Sequence, residues 1–136
     1  MSPVRTRLML IMLLALLLGA CASAARKDGL RSRLYNYASA IRWNEIEQAA
    51  AFVDPAVMQE HPFTDADRER WAQVQVSRYY EGPQGVDADG KVTQTVQIEL
   101  IDRATQTVRS IVDRQRWRYD DEAEIWWLET GLPKLD

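Results

Sequence analysis

Cys21 is the residue whose type and position point most directly to a specific chemistry. It is the only cysteine of the chain, so an intramolecular disulfide and a metal site built from several cysteines are both excluded. A basic start with two arginines precedes an unbroken apolar run from Leu8 to Leu18, and two small residues separate that run from the cysteine. The run is too short to span a bilayer comfortably, and the pattern predicts a secretory leader with a processing site at the cysteine.

The other residues with catalytic potential do not form a recognisable constellation. His61 is the only histidine and stands beside Pro62 in a predicted loop, so a zinc site that needs several histidines is excluded. The sequence has no nucleophile-elbow pattern and no glycine-rich phosphate loop. We therefore expect no enzyme activity, no cofactor and no bound metal.

Leu18-Gly19-Ala20-Cys21 resembles the lipobox of bacterial lipoproteins. The resemblance implies that a signal peptide, 1–20, is cleaved between Ala20 and Cys21 and that the cysteine then carries acyl chains. Each buried methylene contributes about 0.8 kcal/mol, so several chains anchor a protein effectively permanently. An ordinary signal peptide and an uncleaved anchor are the alternatives.

The residue after the cysteine carries a further implication of the resemblance. In Gram-negative lipoproteins an aspartate at that position marks retention in the inner membrane, and here the residue is Ala22. In a Gram-negative host the protein would therefore lie on the outer membrane and face the periplasm. Residues 21–27 would form the lipidated cysteine and a short tether, which places the domain close to the lipid.

Glu45 and Gln48, together with Tyr37, are the candidates for a ligand pocket. They lie on or near the apolar stripe of a predicted helix, and a sheet wrapped around that helix would direct them into a cavity. A buried carboxylate would need a partner, which the strand arginines could provide. Alternatively the stripe is shifted, and Glu45 and Gln48 reach solvent.

Arg114, Arg116 and Arg118 share one face of a predicted strand, because strand side chains alternate with a period of two. They form either a patch for anions, such as lipid head groups or an acidic partner, or a solvated face paired with acids on neighbouring strands. The adjacent Trp126 and Trp127 must point to opposite faces. One belongs to the core, and the other is either covered by a helix or tail or exposed as part of a protein interface.

A long helix over Lys27 to Val53 is expected to position these residues. Asp28 is its predicted N-cap, and Asp54-Pro55 ends it because the residue before proline avoids helical angles. A short second helix is predicted over Ala56 to Glu60. The capping signal that begins at Thr64 predicts a further turn of helix.

After about Trp71 the hydrophobic period changes to two, which predicts about four strands joined by hairpins. The residues from Gly82 to Gly90 are predicted to form a loop with a hairpin turn at Asp89-Gly90. The predicted strands are 72–77, 92–100, 108–119 and 125–130.

Helices followed by strands indicate a single α+β domain over 28–136, with a long N-terminal helix and short helices packed on a curved antiparallel sheet of about four strands. The segment from Tyr37 to Pro55, with Trp43-Asn44 before Ala49-Ala50, resembles the opening helix of nuclear-transport-factor-2-like domains in the broad cystatin-like class. That resemblance implies a sheet that wraps the helix into a cone. Another helix-on-sheet roll is the alternative. The family includes enzymes and non-catalytic modules, so the fold alone does not decide the function.

The charge of the chain disfavours nucleic acid as a partner. Lys and Arg number 17 against 20 Asp and Glu, and the leader holds two of the basic residues and none of the acidic ones, so the net charge falls from −3 to −5 on cleavage. No basic run lies beside the anchor to act as a second membrane signal. We expect a non-enzymatic envelope lipoprotein that binds another envelope protein. The alternative is a pocket between helix and sheet that binds a small molecule, either for binding alone or for catalysis.

Overall fold

The computed structural model describes residues 3–136, and Met1 and Ser2 of the predicted signal peptide lie outside the described residues. Four helices precede four strands, as the sequence predicts for an α+β domain. The expected class, a long N-terminal helix and short helices on a four-stranded antiparallel sheet, is confirmed. The elements are α1 (Pro3–Arg42), α2 (Ile46–Ala50), α3 (Pro55–Glu60), α4 (Asp65–Ala72), β1 (Val74–Val86), β2 (Val92–Asp102), β3 (Val108–Asp120) and β4 (Ile125–Leu128).

The sheet has the order β1-β2-β3-β4, and each strand pairs with the next in an antiparallel hairpin arrangement. The sheet is open and does not close into a barrel. The C-terminal part of α1 covers one face, and the core lies between that face and the helix. The side chains that fill the core from both sides include Leu34, Tyr37, Ala38, Ile41, Val96, Ile98, Leu100, Trp117 and Leu128.

The first helix begins far earlier than Asp28, so the predicted N-cap at that residue is wrong. Helix α1 runs without a break from Pro3 to Arg42. The leader is rich in leucine, methionine and alanine, which favour helix, and nothing in the sequence before Asp28 stops the helix. The apolar side chains of Leu8 to Leu18 are all exposed, and α1 is long and apolar enough to cross a membrane, a test that a signal sequence also passes.

The first helix also ends earlier than the predicted Val53, because Asn44 takes a left-handed backbone conformation with φ of 57°. Its side-chain amide then binds the outer edge of β1: Nδ2 donates to the Val74 carbonyl at 2.9 Å, and Oδ1 accepts from the Val76 amide at 2.9 Å. The amide therefore occupies the place of a neighbouring strand at the start of β1. Helix α2 begins after this break.

Strand β1 is longer than predicted and includes the segment from Gly82 to Gly85, which was expected to be a loop. Register shifts near Ser77 and between Glu81 and Gln84 absorb the extra residues, so that pairing with β2 continues. Gly82 lies so close to β2 that a Cβ atom there would be 2.5 Å from the Thr95 carbonyl oxygen. The turn itself is confined to the residues around Asp87 and Gly90.

Both of the predicted short helices are present, and each begins after a capping residue; of the two caps, only the one at Thr64 is predicted from the sequence. The Asp54 side chain accepts from the Ala56 amide at 3.0 Å and caps α3, with Pro55 at its first position. Thr64 and Asp67 form a reciprocal capping box at the start of α4. The predicted turn after Thr64 is in fact an eight-residue helix.

The bonds of Asn44 are expected to stabilise the contact between α1 and β1. Asn44→Gly keeps the left-handed backbone conformation accessible but removes both hydrogen bonds, so we expect a loss of about 1–3 kcal/mol of unfolding free energy. Denaturant unfolding of the purified protein measures this loss. The control is Asn36→Ala, because the exposed side-chain amide of Asn36 reaches only Ser32, at 3.5 Å. Glycine is not used at position 36, since it would weaken the interior of a helix. Equal unfolding midpoints for Asn44→Gly and the wild type would contradict a stabilising role of these hydrogen bonds.

Candidate functional site

The structure separates the three residues of the expected helix–sheet pocket. Tyr37 is fully buried, whereas Glu45 and Gln48 are exposed on the surface. The break at Asn44 resets the helical phase, so the stripe that begins on α1 does not continue through α2. Glu45 stands at the N-cap position of α2 and has no side-chain capping bond. This placement agrees with the alternative in which Glu45 and Gln48 reach solvent.

Aromatic side chains fill the space beside Tyr37. Its ring meets the ring of Trp117 edge-on at 5.4 Å between centroids and the ring of Phe52 at 5.8 Å. Trp117 is itself fully buried. This packing occupies the part of the interior in which a ligand beside Tyr37 would have to lie.

A chain of polar side chains lies next to this aromatic group on the inward face of the sheet. Gln115 connects it: its Nε2 donates to the Asp113 carboxylate at 2.8 Å and to the Tyr79 hydroxyl at 2.9 Å, and its Oε1 accepts from the Trp117 indole at 3.1 Å. Asp113, Gln115 and Gln94 are all buried. We call Asp113, Gln115, Tyr79 and Tyr37 the interior polar cluster.

Acidic groups of the interior polar cluster have raised pKa values. Burial raises the pKa of the Asp113 carboxyl to about 6, and the hydrogen bond from Gln115 opposes that rise only in part. Burial likewise raises the pKa of the Tyr37 hydroxyl, which is further raised by the nearby Asp113. Within residues 3–136 the Tyr37 hydroxyl has no hydrogen-bond partner. The cluster can bind a proton near neutral pH, but Asp113 is only 7% exposed, so access from solvent is small.

Sequence reasoning missed the interior polar cluster although the signal was present. Asp113 and Gln115 lie four and two residues before Trp117, so the alternation that places the tryptophan in the core places them beside it. The same alternation places Arg114, Arg116 and Arg118 together on the other face of the strand, as the structure shows. The more unusual residues of the strand are Asp113 and Gln115, because they are polar and lie on the face that points to the core.

Two of the three strand arginines are bound by acids of neighbouring segments. Arg116 donates to Asp87 at 2.6 Å and to Asp89 at 2.8 Å, both in the β1–β2 turn. Arg118 donates to Asp54 at 2.5 Å. This hydrogen bond holds the pKa of the Asp54 carboxyl below its usual range. Arg116 and Arg118 therefore match the interpretation in which the arginines pair with acids on neighbouring segments. Their ion pairs connect β3 to the β1–β2 turn and to the start of α3.

Arg114, the third arginine, is exposed and forms no ion pair within residues 3–136. Its neighbour across the strands is Thr95 on β2. One unpaired cation does not make a continuous anion patch, which was one of the two interpretations of the three arginines.

Neither of the adjacent tryptophans is openly exposed. Trp126 is 6% exposed, and its indole donates to the backbone oxygen of Arg26 on α1 at 3.0 Å. Trp127 is half-buried, because the Arg33 guanidinium lies over its ring at 5.4 Å and over the Phe52 ring at 4.2 Å. Helix α1 thus covers the last hairpin, as in the interpretation in which a helix covers the second tryptophan.

The largest exposed aromatic side chains of the folded domain lie on α1 and directly after its end instead. Trp43 is 76% exposed and Tyr35 is 68% exposed. Tyr35 belongs to the last two turns of α1, and Trp43 is the first residue after the last helical residue, Arg42. Tryptophan and tyrosine are enriched among the residues that carry most of the binding energy in protein interfaces. The sequence contained a hint, since both fall outside the apolar stripe of Leu34, Tyr37 and Ile41.

Cys21 and His61, the two single residues with chemical potential, are both exposed and far from each other in the chain. His61 ends α3 as its C-cap. Within residues 3–136 no group of three or more His, Cys, Asp or Glu side chains is arranged to hold a metal ion. Comparison of the chain with protein-family models, with curated proteins and with solved structures gives no match.

The raised pKa of Asp113 should make stability depend on pH. An aspartate has a pKa near 3.9 in an unfolded chain, so the folded state binds this proton more tightly. The stabilisation is fully present below about pH 4, is lost as the pH rises through about 6, and is absent above it. Asp113→Asn should therefore raise the unfolding free energy at pH 7.5 by about 2–3 kcal/mol and flatten the change between pH 4 and 7.

Urea unfolding at several pH values provides the measurement for this prediction. Asp28→Asn is the control, because Asp28 is exposed and has only a distant contact with Arg31 at 3.6 Å. If Asp113→Asn is less stable than the wild type at pH 7.5, the prediction is wrong, and other groups of the folded state stabilise the charged carboxylate.

Proposed function

We propose that the chain is a membrane-anchored lipoprotein of the bacterial envelope whose folded domain is a non-catalytic binding or assembly module. The observation that carries the anchoring is the contrast within α1. Its apolar leader, including Leu8 to Leu18, is exposed throughout and contributes nothing to the core, and the exposed Cys21 follows it. A leader that plays no part in the fold can be removed after export without loss of the core.

The position of the domain relative to Cys21 supports a short connection to the membrane. The first contacts of α1 with the sheet are made by Arg26, five residues after the cysteine, whose backbone oxygen accepts from Trp126. The Arg26 guanidinium also lies over the Tyr119 ring at 4.2 Å and pairs with Asp121 at 2.9 Å. A domain that begins so close to its acyl chains would remain near the lipid surface. With Ala22 after the cysteine, the proposed location is the periplasmic face of the outer membrane in a Gram-negative host.

Binding is favoured over catalysis by the distribution of polar and aromatic groups. Asp113, whose carboxyl pKa is raised to about 6 by burial, is enclosed in the interior, and aromatic rings fill the space around Tyr37. The exposed surface, in contrast, presents Tyr35 on α1 and Trp43 directly after it. Truncation of exposed aromatic side chains is among the most damaging changes in known interfaces. We therefore propose that the surface around Trp43, at the end of α1, contacts an envelope protein, with Tyr35 as a second contact.

Lipidation at Cys21 is tested by Cys21→Ser in the native host. The wild type should incorporate labelled palmitate, lose residues 1–20 and remain with membranes, because acylation precedes cleavage in this pathway. The variant should incorporate no label and accumulate at the precursor mass. Labelling and intact mass are read by autoradiography and mass spectrometry.

Cys21→Ala serves as a second variant that excludes an effect of the serine hydroxyl. Unchanged mass and unchanged membrane association in both variants would indicate an uncleaved anchor. A cleaved but unlabelled wild type would indicate an ordinary signal peptide.

The partner surface is tested by Trp43→Ala in the lipidated protein. In situ crosslinking followed by affinity capture should recover the partner of the wild type, and the variant should recover it about tenfold less, the effect of a loss of roughly 1.4 kcal/mol. Val112→Ala is the control, because Val112 is also exposed but lies on β3, on the face of the sheet opposite the buried Asp113 and the core. The melting temperatures of both variants should match that of the wild type. Equal recovery by all three proteins would exclude Trp43 from the interface.

A further inference from the structure

The part of α1 that covers the sheet is attached by polar contacts at its two ends only. At one end the Arg33 guanidinium donates to the Trp126 carbonyl at 2.9 Å. At the other end the side chain of Asn44, just after the helix, binds the edge of β1. Between these points, residues 34–43 form no hydrogen bond with the sheet within the described part of the chain. We call residues 34–41 the docked segment.

Apolar contacts hold the docked segment in place. Its buried side chains are Leu34, Tyr37, Ala38, Ala40 and Ile41. The strands below it are joined to one another by continuous backbone hydrogen bonds. The docked segment can therefore separate from the sheet without breaking a ladder, so local opening of the helix requires less than unfolding of the domain.

The interior polar cluster lies beneath the docked segment, because Tyr37 belongs to both. Asp113 accepts one side-chain hydrogen bond within residues 3–136, from Gln115 at 2.8 Å. The Tyr37 hydroxyl has no partner there at all. A buried carboxylate with one neutral donor is poorly compensated for the water that it has lost. The contact between helix and sheet is thus formed over a group that tolerates a proton better than a charge.

The surroundings of Asp113 supply no neutralising charge. The side chains around the cluster are Tyr79 and Glu81 of β1, Gln94 and Val96 of β2, and Tyr37 and Arg42 of α1. Arg42 is the one cation of this set, and its guanidinium lies over the Tyr79 ring at 5.1 Å. Neither Arg42 nor Asp113 forms an ion pair within residues 3–136.

The charge on Asp113 and the position of the docked segment are therefore linked. While the segment covers the sheet, burial raises the pKa of the Asp113 carboxyl to about 6. When the segment separates from the sheet, water reaches the carboxylate, and its pKa returns towards the value near 3.9 of an open chain. The support that the proton gives to docking is complete below about pH 4 and is lost as the pH rises through about 6.

We propose that a proton on Asp113 controls the docking of α1 on the sheet. Residues 34–41 are held closed when the carboxyl is protonated, and they open locally when it is charged. The device consists of a helix held by apolar contacts between two polar attachments and one uncompensated carboxyl beneath it.

Proton-controlled docking has a consequence for recognition. Tyr35 lies within the docked segment, and Trp43 follows its end by two residues. Local opening would change the arrangement of these two side chains, so the contact with an envelope protein would be strongest in acid. This consequence rests on the proposed function, whereas the docking of the helix does not and is measured without a partner.

Hydrogen–deuterium exchange of the full lipidated protein in lipid nanodiscs tests the proposal, with peptide mass spectrometry as the readout. After correction for intrinsic exchange rates, protection of residues 34–41 should fall about tenfold between pH 5 and pH 7.5, the factor that the two pKa values of Asp113 imply. At pH 7.5 these amides should also exchange faster than those of residues 96–100 on β2, which report opening of the whole domain. Equal protection of the two segments at pH 7.5, or protection of residues 34–41 that does not change with pH, would overturn the proposal.

Three variants identify the group that titrates. Asp113→Asn keeps the shape of the side chain without its charge, so residues 34–41 should stay protected at pH 7.5 and the tenfold change should disappear. Glu81→Gln is the matched control, because Glu81 is an exposed carboxylate that pairs with Val96, the strand partner of Asp113. It should retain the tenfold change.

Tyr37→Phe separates the effect of the unpartnered hydroxyl from that of the charge. The ring and its contacts remain, so the variant should raise the protection of residues 34–41 equally at both pH values and keep the tenfold change. A tenfold change that persists in Asp113→Asn, or that is lost in Glu81→Gln or Tyr37→Phe, would show that Asp113 is not the controlling group.

Discussion

The edge-on contact between Tyr37 and Trp117 joins the single long helix to the middle of the sheet, and the rest of the domain is arranged around it. A four-stranded sheet with one helix on one face has little apolar area to bury, so large aromatic side chains must supply much of it. Both rings are completely buried. The consequence is that the Tyr37 hydroxyl is carried into a region where it has no hydrogen-bond partner among the described residues, beside the carboxyl of Asp113.

The same helix connects the core to the leader. Because α1 runs without interruption from the leader into the core, the residues between Cys21 and Leu34 transmit the position of the anchor to the sheet. Trp126 and Arg33 strengthen this connection from opposite sides: the indole of Trp126 donates to the helix backbone, and the Arg33 guanidinium donates to the Trp126 carbonyl at 2.9 Å. On the proposed function, the orientation of the domain above the lipid is therefore set by the helix and not by a flexible linker.

Local patterns predicted the elements whose stability is local. The alternation of β2 and β3 and the capping signal at Thr64 were readable because their cause lies within a few residues. The break at Asn44 was not, because its amide is held by β1, thirty residues further on. The extension of β1 through Gly82 was missed for the same reason: a glycine and a proline predict a turn unless a partner strand is known to continue beside them. The burial of Asp113 was available from the alternation, but its lack of a cationic partner was not.

Most of the charge near the last hairpin is used within the fold. Arg116 and Arg118 are used by Asp87, Asp89 and Asp54 to hold the hairpin turn and α3 on the sheet. Arg114, on the same face of β3, keeps its charge free among the described residues. The largest exposed aromatic side chains, Tyr35 and Trp43, lie elsewhere, on α1 and directly after its end. On the proposed function, a partner would therefore meet aromatic side chains there, because the charges of Arg116 and Arg118 are already used to hold the fold together.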